Sequence, residues 1–313
     1  MIPALSKLTS LTKIHLVPRE NSLIQAENIV KLLKALSAIK TLTDIALRLT
    51  PFRIVFDNTS IEPLTEGLEE LNASSIRKLT LNLYKNFTDE GLGKISQALR
   101  KFTSLEILRL DLPQSKEITD EGLAQLSFAL NKLISLTSLS LAFSGFTQKF
   151  GLALKSLQNL VYLKLRFQNT SPSPNQIQLL SSSVAALKTS LKFLEIHFAE
   201  QSFFPNSLIK SLSETLKELI LLKHLSLNFP SPNLTPREVE ALSITIQGLS
   251  NLSSLSLGFE NSKGIDEKTV DALSETFRNL PSLYSIGLNL LRCDKVHPEG
   301  GVPFKGYLLS YVK

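Results

Sequence analysis

Leu105–Phe143, LEILRLDLPQSKEITDEGLAQLSFALNKLISLTSLSLAF, decides how the whole chain is read. It opens with Leu105, Leu108, Leu110 and Leu112, spaced three, two and two. Alternation puts the last three on one face of a strand and Ile107, Arg109 and Asp111 on the other. Next comes Ile118-Thr119-Asp120-Glu121-Gly122, with Thr119 placed to cap a helix and two acids in the first turn, where the helix dipole favours them. Leu123, Leu126, Ala129, Leu130 and Leu133 then recur at helical spacing. At Leu136, Leu139, Leu141 and Phe143 the strand pattern restarts. The unit is strand, loop, helix, strand.

Its opening tetrad occurs ten times, beginning at Leu11, Leu42, Ile76, Leu105, Leu136, Leu160, Leu191, Leu222, Leu252 and Leu283. The successive spacings are 31, 34, 29, 31, 24, 31, 31, 30 and 31. A sustained period near 30 means repeats that bury a common core against their neighbours. L-x-x-L-x-L-x-[F/L], followed by T-D-E-G-L and L-x-x-A-L, resembles a leucine-rich repeat of the long, ribonuclease-inhibitor-like type over residues 5 to about 290. The resemblance implies an α/β leucine-rich-repeat solenoid, a horseshoe of about ten repeats. Parallel strands would line its concave face and helices its convex face. The array is expected over 1–290, with 291–313 as a C-terminal cap or docking tail. Function does not follow from the resemblance, because such horseshoes bind many unrelated ligands.

The chain departs from the common pattern at the ninth position of the repeat. Where Asn or Cys usually satisfies the turn, this sequence has Arg19, Thr50, Tyr84, Pro113, Ser144, Gln168, Ala199, Pro230, Glu260 and Leu291. The eighth position is instead apolar, with Phe143, Phe167, Phe198, Phe229 and Phe259 in five consecutive repeats. Continued alternation predicts a longer strand and an internal row of stacked Phe in place of an Asn ladder. Thr88-Asp89-Glu90-Gly91 nearly copies the sequence at Thr119, Thr235-Pro236-Arg237-Glu238 forms a capping box, and Ser173-Pro174 is a similar start. The 24-residue fifth repeat predicts a helix about two turns shorter than the others. The 34-residue second repeat predicts Pro51–Ser60 as an insertion before its helix. The array starts half a repeat in, which leaves open a missing segment or an end covered by a partner.

A chain that is 43% hydrophobic and 20% charged can bury a continuous core. No apolar run reaches the length of a membrane span, and MIPALSKLTSLTKIHL lacks the plan of a secretory signal. The single Cys293 excludes an intramolecular disulfide and fits a reducing compartment, so the expected location is cytoplasmic. Similar long repeats are widely used in ciliated protists, a resemblance that suggests a cytoskeletal or ciliary site. The six glycosylation sequons at Asn58, Asn72, Asn86, Asn169, Asn233 and Asn251 are read as chance in a Ser- and Asn-rich chain. A net charge of +6 is mild. It fits solvent-facing Lys and Arg better than a nucleic-acid tract.

Catalytic motifs are absent. Gly300-Gly301-Val302-Pro303-Phe304-Lys305-Gly306 lacks the helix a phosphate cradle needs, and Pro303 removes one backbone donor. Cys293 with His297 supplies two ligands where tetrahedral zinc takes four. No enzyme activity, cofactor or metal is expected.

The resemblance places the third, fifth and seventh residues of each strand motif in the hollow. Tyr162, Phe193 and His224 then fall side by side, with Lys164, Arg166, Glu195, His197 and Asn228 beside them and small residues on both flanks. Exposed aromatics with Arg are the usual material of binding hot spots. These eight residues form the candidate partner-binding site. Phe304, Tyr307 and Tyr311 are candidates for docking at the end of the chain. The expected function is a non-enzymatic protein-binding scaffold or structural subunit of a larger cytosolic or cytoskeletal assembly. The alternative is a regulatory inhibitor or adaptor that encloses one globular partner. Nucleic-acid binding through Lys13, Lys78, Arg109, Lys164 and Arg166 is opposed by the interspersed Asp44, Asp111 and Glu195.

Overall fold

The computed structural model describes residues 8–17, 26–48, 58–83, 87–112, 115, 117–143, 147–168, 172–199, 207–230, 233–293 and the backbone of 308–312. The chain divides into two compact units, Met1–Leu160 and Val161–Lys313. In the first, strands β1 (Lys13–Leu16), β2 (Asp44–Arg48), β3 (Lys78–Asn82), β4 (Ile107–Asp111) and β5 (Ser138–Phe143) alternate with five helices. These are α1 (Ala26–Ser37), α2 (Asn58–Glu70), α3 (Asp89–Leu99), α4 (Asp120–Leu130) and α5 (Gln148–Ser156). The second unit has β6 (Tyr162–Phe167), β7 (Phe193–Phe198), β8 (His224–Asn228), β9 (Ser254–Gly258) and β10 (Ser285–Asn289). Its helices are α6 (Pro174–Ala185), α7 (Ser207–Leu216), α8 (Pro236–Gln247) and α9 (Glu267–Arg278). A further strand, β11 (Leu308–Val312), pairs antiparallel with β10.

Every other strand pair within a unit is parallel and joins equivalent positions of adjacent repeats. Equal positions pair because only that register keeps every tetrad leucine on the buried side. Leu105, Leu108, Leu110 and Leu112 are at most 2% exposed, and Leu136, Leu139, Leu141 and Phe143 at most 3%. Burial of each such side chain contributes about 1.5–3 kcal/mol. Each unit is thus a leucine-rich-repeat solenoid, with an internal leucine core between a sheet and a layer of helices.

Backbone groups close the repeats at both ends of the strands. The carbonyl at the second motif position accepts two amides of the next repeat: Thr12 from Thr43 and Asp44, Arg77 from Glu106 and Ile107, Lys223 from Ser253 and Ser254. Thr and Ser hydroxyls reinforce the same line, as in Thr137 to the Glu106 carbonyl and Ser253 to the Lys223 carbonyl. At the other end the eighth-position amides of Leu112, Phe229 and Phe259 donate to Ala142, Gly258 and Asn289. Main chain therefore does much of the work of the missing Asn ladder.

The expected Phe stack is present within the second unit from Phe167 to Phe229. Phe143, Phe167, Phe198, Phe229 and Phe259 are all at most 3% exposed. Within the second unit Phe167 stacks on Phe198 at 5.0 Å and Phe198 on Phe229 at 5.9 Å between ring centres. The Phe also closes the longer six-residue strands β5, β6 and β7.

Helix starts follow the sequence signals. Thr88, Thr147 and Ser173 each accept from an amide three residues on, and Gln176 returns a bond to the Ser173 amide. At Thr235 the Glu238 carboxylate accepts both the amide and the hydroxyl. Two expectations are corrected. Helix α5 has nine residues against ten to thirteen in the others, so the short repeat loses about a turn at most, with the rest taken from its connections. Helix α2 begins at Asn58, so part of the expected insertion is helical. Among the described residues, no helix is long and apolar enough to cross a membrane.

Candidate functional site

Parallel pairing in register turns the predicted residues into a grid on the helix-free face of the second unit. Tyr162 pairs with Phe193 and Phe193 with His224; Lys164 pairs with Glu195 and Glu195 with Ser226. In the third row Arg166 pairs with His197 and His197 with Asn228. All eight predicted residues lie in these nine positions. The ninth is Ser226, the fifth position of its repeat, at the centre of the outer column.

The first row is aromatic. Ring centres of Tyr162 and Phe193 are 6.3 Å apart and those of Phe193 and His224 6.2 Å, tilted by 39° and 31°. Phe193 remains 37% exposed. The strand holds it there, because its neighbour Leu194 points into the core.

The second row is polar and closed on itself. The Tyr162 hydroxyl donates to Glu195 Oε1 at 2.6 Å, and Lys164 Nζ to Glu195 Oε2 at 2.5 Å. Burial alone would raise the Glu195 carboxyl, but these two bonds and the nearby positive charge outweigh it and hold the group below its ordinary value. Glu195 therefore stays ionised at neutral pH and neutralises Lys164. His197 Nε2 lies 2.9 Å from Ser226 Oγ and 3.8 Å from Glu195 Oε2. Burial, with Lys164 adding to it, brings the His197 ring down to about 4, so it is neutral at pH 7. Burial also lowers His224.

Serine, histidine and carboxylate thus meet, but not as a catalytic relay. A relay needs the carboxylate on one ring nitrogen and the serine on the other. Here both approach Nε2. Ser226 is also 8% exposed, below the surface a substrate carbonyl would reach. The geometry suits a rigid recognition surface.

The third row ends differently from expectation. Arg166 is exposed. Asn228 leans towards β9, where a Cβ on Gly258 would come within 2.1 Å of Asn228 Oδ1. That oxygen is buried without a hydrogen bond. Cys293 is buried and donates to the Phe259 carbonyl at 3.1 Å, a structural contact. His297, Phe304 and Tyr307 lie outside the described residues, and Tyr311 is described only as backbone in β11. Among the described residues, no group of three or more His, Cys, Asp or Glu is arranged to hold a metal ion.

The helix-free face of the first unit is less organised. Asp44, 6% exposed, lies 3.2 Å from Lys78 and 3.7 Å from His15. Among the described residues it carries no aromatic cluster.

No family model matches the sequence, and no curated protein matches it significantly. Among solved structures the chain is similar to the leucine-rich repeat-containing protein LegL7 from Legionella pneumophila. Identity is 16%, the match covers 96% of this chain and 91% of that one, and the TM-score is 0.47. By its own repeats, paired position for position, this chain has the leucine-rich-repeat fold.

Proposed function

We propose that the protein is a non-enzymatic binding scaffold that takes a protein partner on the helix-free face of its second unit. Phe193 is the anchor. The observation that carries this reading is an aromatic row, Tyr162–Phe193–His224, with Phe193 exposed between two half-buried rings, standing beside the closed Tyr162–Glu195–Lys164 network. Rigid aromatics on strands lose little entropy on binding, and paired charges leave no buried ion stranded when a partner removes water. Arg166 at the edge supplies a charge for orientation and encounter rate.

Residues 291–313 read best as a cap, because β11 continues the sheet from β10 and occupies its edge. An adaptor enclosing one globular partner would use the first unit's face as well. Crosslinking with mass spectrometry on the purified native complex separates the two. Partner crosslinks from Lys164 alone support the local site, and crosslinks from both Lys78 and Lys164 support enclosure. Combining Phe193→Ala with Arg166→Glu should abolish partner capture and leave the melting temperature unchanged. Capture that persists overturns the site.

A further inference from the structure

Gly122 to Leu160, the last part of the first unit, contains Lys132, Lys149 and Lys155 and not one Asp or Glu. The acid-free run continues in sequence as far as Leu194. Elsewhere lysines on the helix side pair with carboxylates, as in the Lys94–Glu90 and Lys101–Glu69 pairs. Lys132, Lys149 and Lys155 have no ion pair among the described residues.

Large apolar side chains stand out among these cations. Phe128 on α4 is 51% exposed and Leu152 on α5 is 57% exposed. Ile134, in the turn after α4, is 67% exposed. Lys149 Nζ lies 5.9 Å from the centre of the Phe128 ring, so the outer faces of α4 and α5 meet there. Leu152 follows Lys149 by one turn on the same stripe of α5, which carries the apolar surface onward beside Phe128. Ser156 donates to Asn131 at 3.0 Å and the Asn159 amide to the Ile134 carbonyl at 3.3 Å, fixing the C-terminal ends of the two helices to each other. On the α3 side the exposed residues of the last turns are Gln97 and Arg100. The border is therefore cationic or neutral around the C-terminal ends of α3, α4 and α5, while the exposed Asp120 and Glu121 stand at the opposite, N-terminal end of α4.

We propose that the outer face of α4 and α5 docks an acidic amphipathic helix of another protein. Its apolar stripe would lie on Phe128 and Leu152, and its carboxylates would meet Lys132, Lys149 and Lys155. Charge complementarity names the partner's sign, and two half-exposed apolar side chains on adjacent helices fit a helix laid across them. A bilayer fits less well, since surface binding scales with the apolar area buried and this patch offers only Phe128, Leu152 and Ile134. This surface belongs to the first unit and is independent of the Phe193 site.

The test is selection from a displayed library of amphipathic helices of about 18 residues, apolar at i, i+3, i+4 and i+7 with polar positions randomised, against the full-length protein. Selected helices should be enriched in Asp and Glu at the polar positions. Their binding should fall by at least about tenfold in Lys149→Glu with Lys155→Glu, and in Phe128→Ser with Leu152→Ser. Phe193→Ala should bind them normally. Because Phe128, Lys149 and Leu152 are exposed and Lys155 is half-buried with no ion pair among the described residues, melting temperatures should stay within a few degrees. Enrichment of basic helices, no enrichment, or binding indifferent to these variants overturns the proposal. So does co-sedimentation with phosphatidylserine vesicles that the same variants abolish, which would make the patch a lipid surface.

Discussion

The carboxylate of Asp89 caps the helix of the following repeat, accepting the Gly122 amide at 3.0 Å and the Thr119 amide at 2.7 Å. The Thr119 hydroxyl donates to the same group. The near-copies T-D-E-G thus do more than start their own helices. Asp89 is in the first turn of α3 and also neutralises the positive end of α4. Gly122 is required by that contact, because a Cβ there would come within 2.4 Å of Asp89 Oδ1 and 3.1 Å of its Cα.

Asp89→Ala should cost about 1–2 kcal/mol, the range of a lost helix cap. Gly122→Ala should cost a similar amount by expelling the carboxylate. The double variant should be little worse than either alone, since both remove one interaction. Urea unfolding midpoints of the three variants check this, and simple additivity would refute the shared contact.

Phe198 sits between Phe167 and Phe229, 3% exposed, one position before Ala199, where an Asn ladder would otherwise stand. Phe198→Ala should lose about 3–5 kcal/mol, and Phe198→Leu about 1 kcal/mol or a little more. Phe198→Asn should not rescue the site. It would bury an amide between two rings with no turn geometry to receive it. Thermal melts of the three variants rank these outcomes.

Acid should weaken the second unit through His197. In the unfolded chain this ring titrates near its ordinary value of 6.5, whereas in the fold it stays neutral down to about 4. Below pH 6.5 the unfolded state takes up a proton that the folded state refuses, so stability falls as pH falls from about 6.5 towards 4. The loss at pH 4 should be about 1–2 kcal/mol once solvent screening of this partly exposed ring is discounted. His224 shifts in the same direction and adds to the slope. Glu195 is depressed, so its contribution is full above the unfolded carboxylate value and is lost on further acidification. His197→Asn should flatten the upper part of the profile, read as urea midpoint against pH.

Much of this was legible in the sequence, and the reason is the repeat. Because Tyr162, Phe193 and His224 occupy one position of successive repeats, their spacing of about 31 residues already made them neighbours. The same logic gave the Phe row and the helix starts at Thr88, Thr119 and Ser173. What repeat arithmetic could not give was side-chain direction. Nothing in the spacing says that Glu195 takes both Tyr162 and Lys164, or that His197 turns to Ser226. The Asp89 cap is hidden for a related reason: T-D-E-G reads as a complete local start signal, and nothing in it points to a partner one repeat away. The acid-free run from Gly122 was open to inspection but was masked by a mild overall charge.

Asn228 and Gly258 give the sharpest test of side-chain direction within the predicted site. Asn228 leans over the neighbouring strand only because Gly258 has no side chain; a methyl group there would meet Asn228 Oδ1 at 2.1 Å and its Cγ at 2.9 Å. Gly258→Ala should therefore destabilise the protein by about 1–3 kcal/mol, the usual range for overpacking. Asn228→Ala alone should cost little, since its buried oxygen makes no hydrogen bond to lose. The pair Asn228→Ala with Gly258→Ala should recover most of the loss, giving a coupling of about 1–2 kcal/mol in a double-mutant cycle. If Gly258→Ala is harmless, Asn228 points outward in solution and joins Arg166 as part of the partner-binding edge. If the pair stays as unstable as Gly258→Ala alone, the glycine is held by the backbone and not by Asn228.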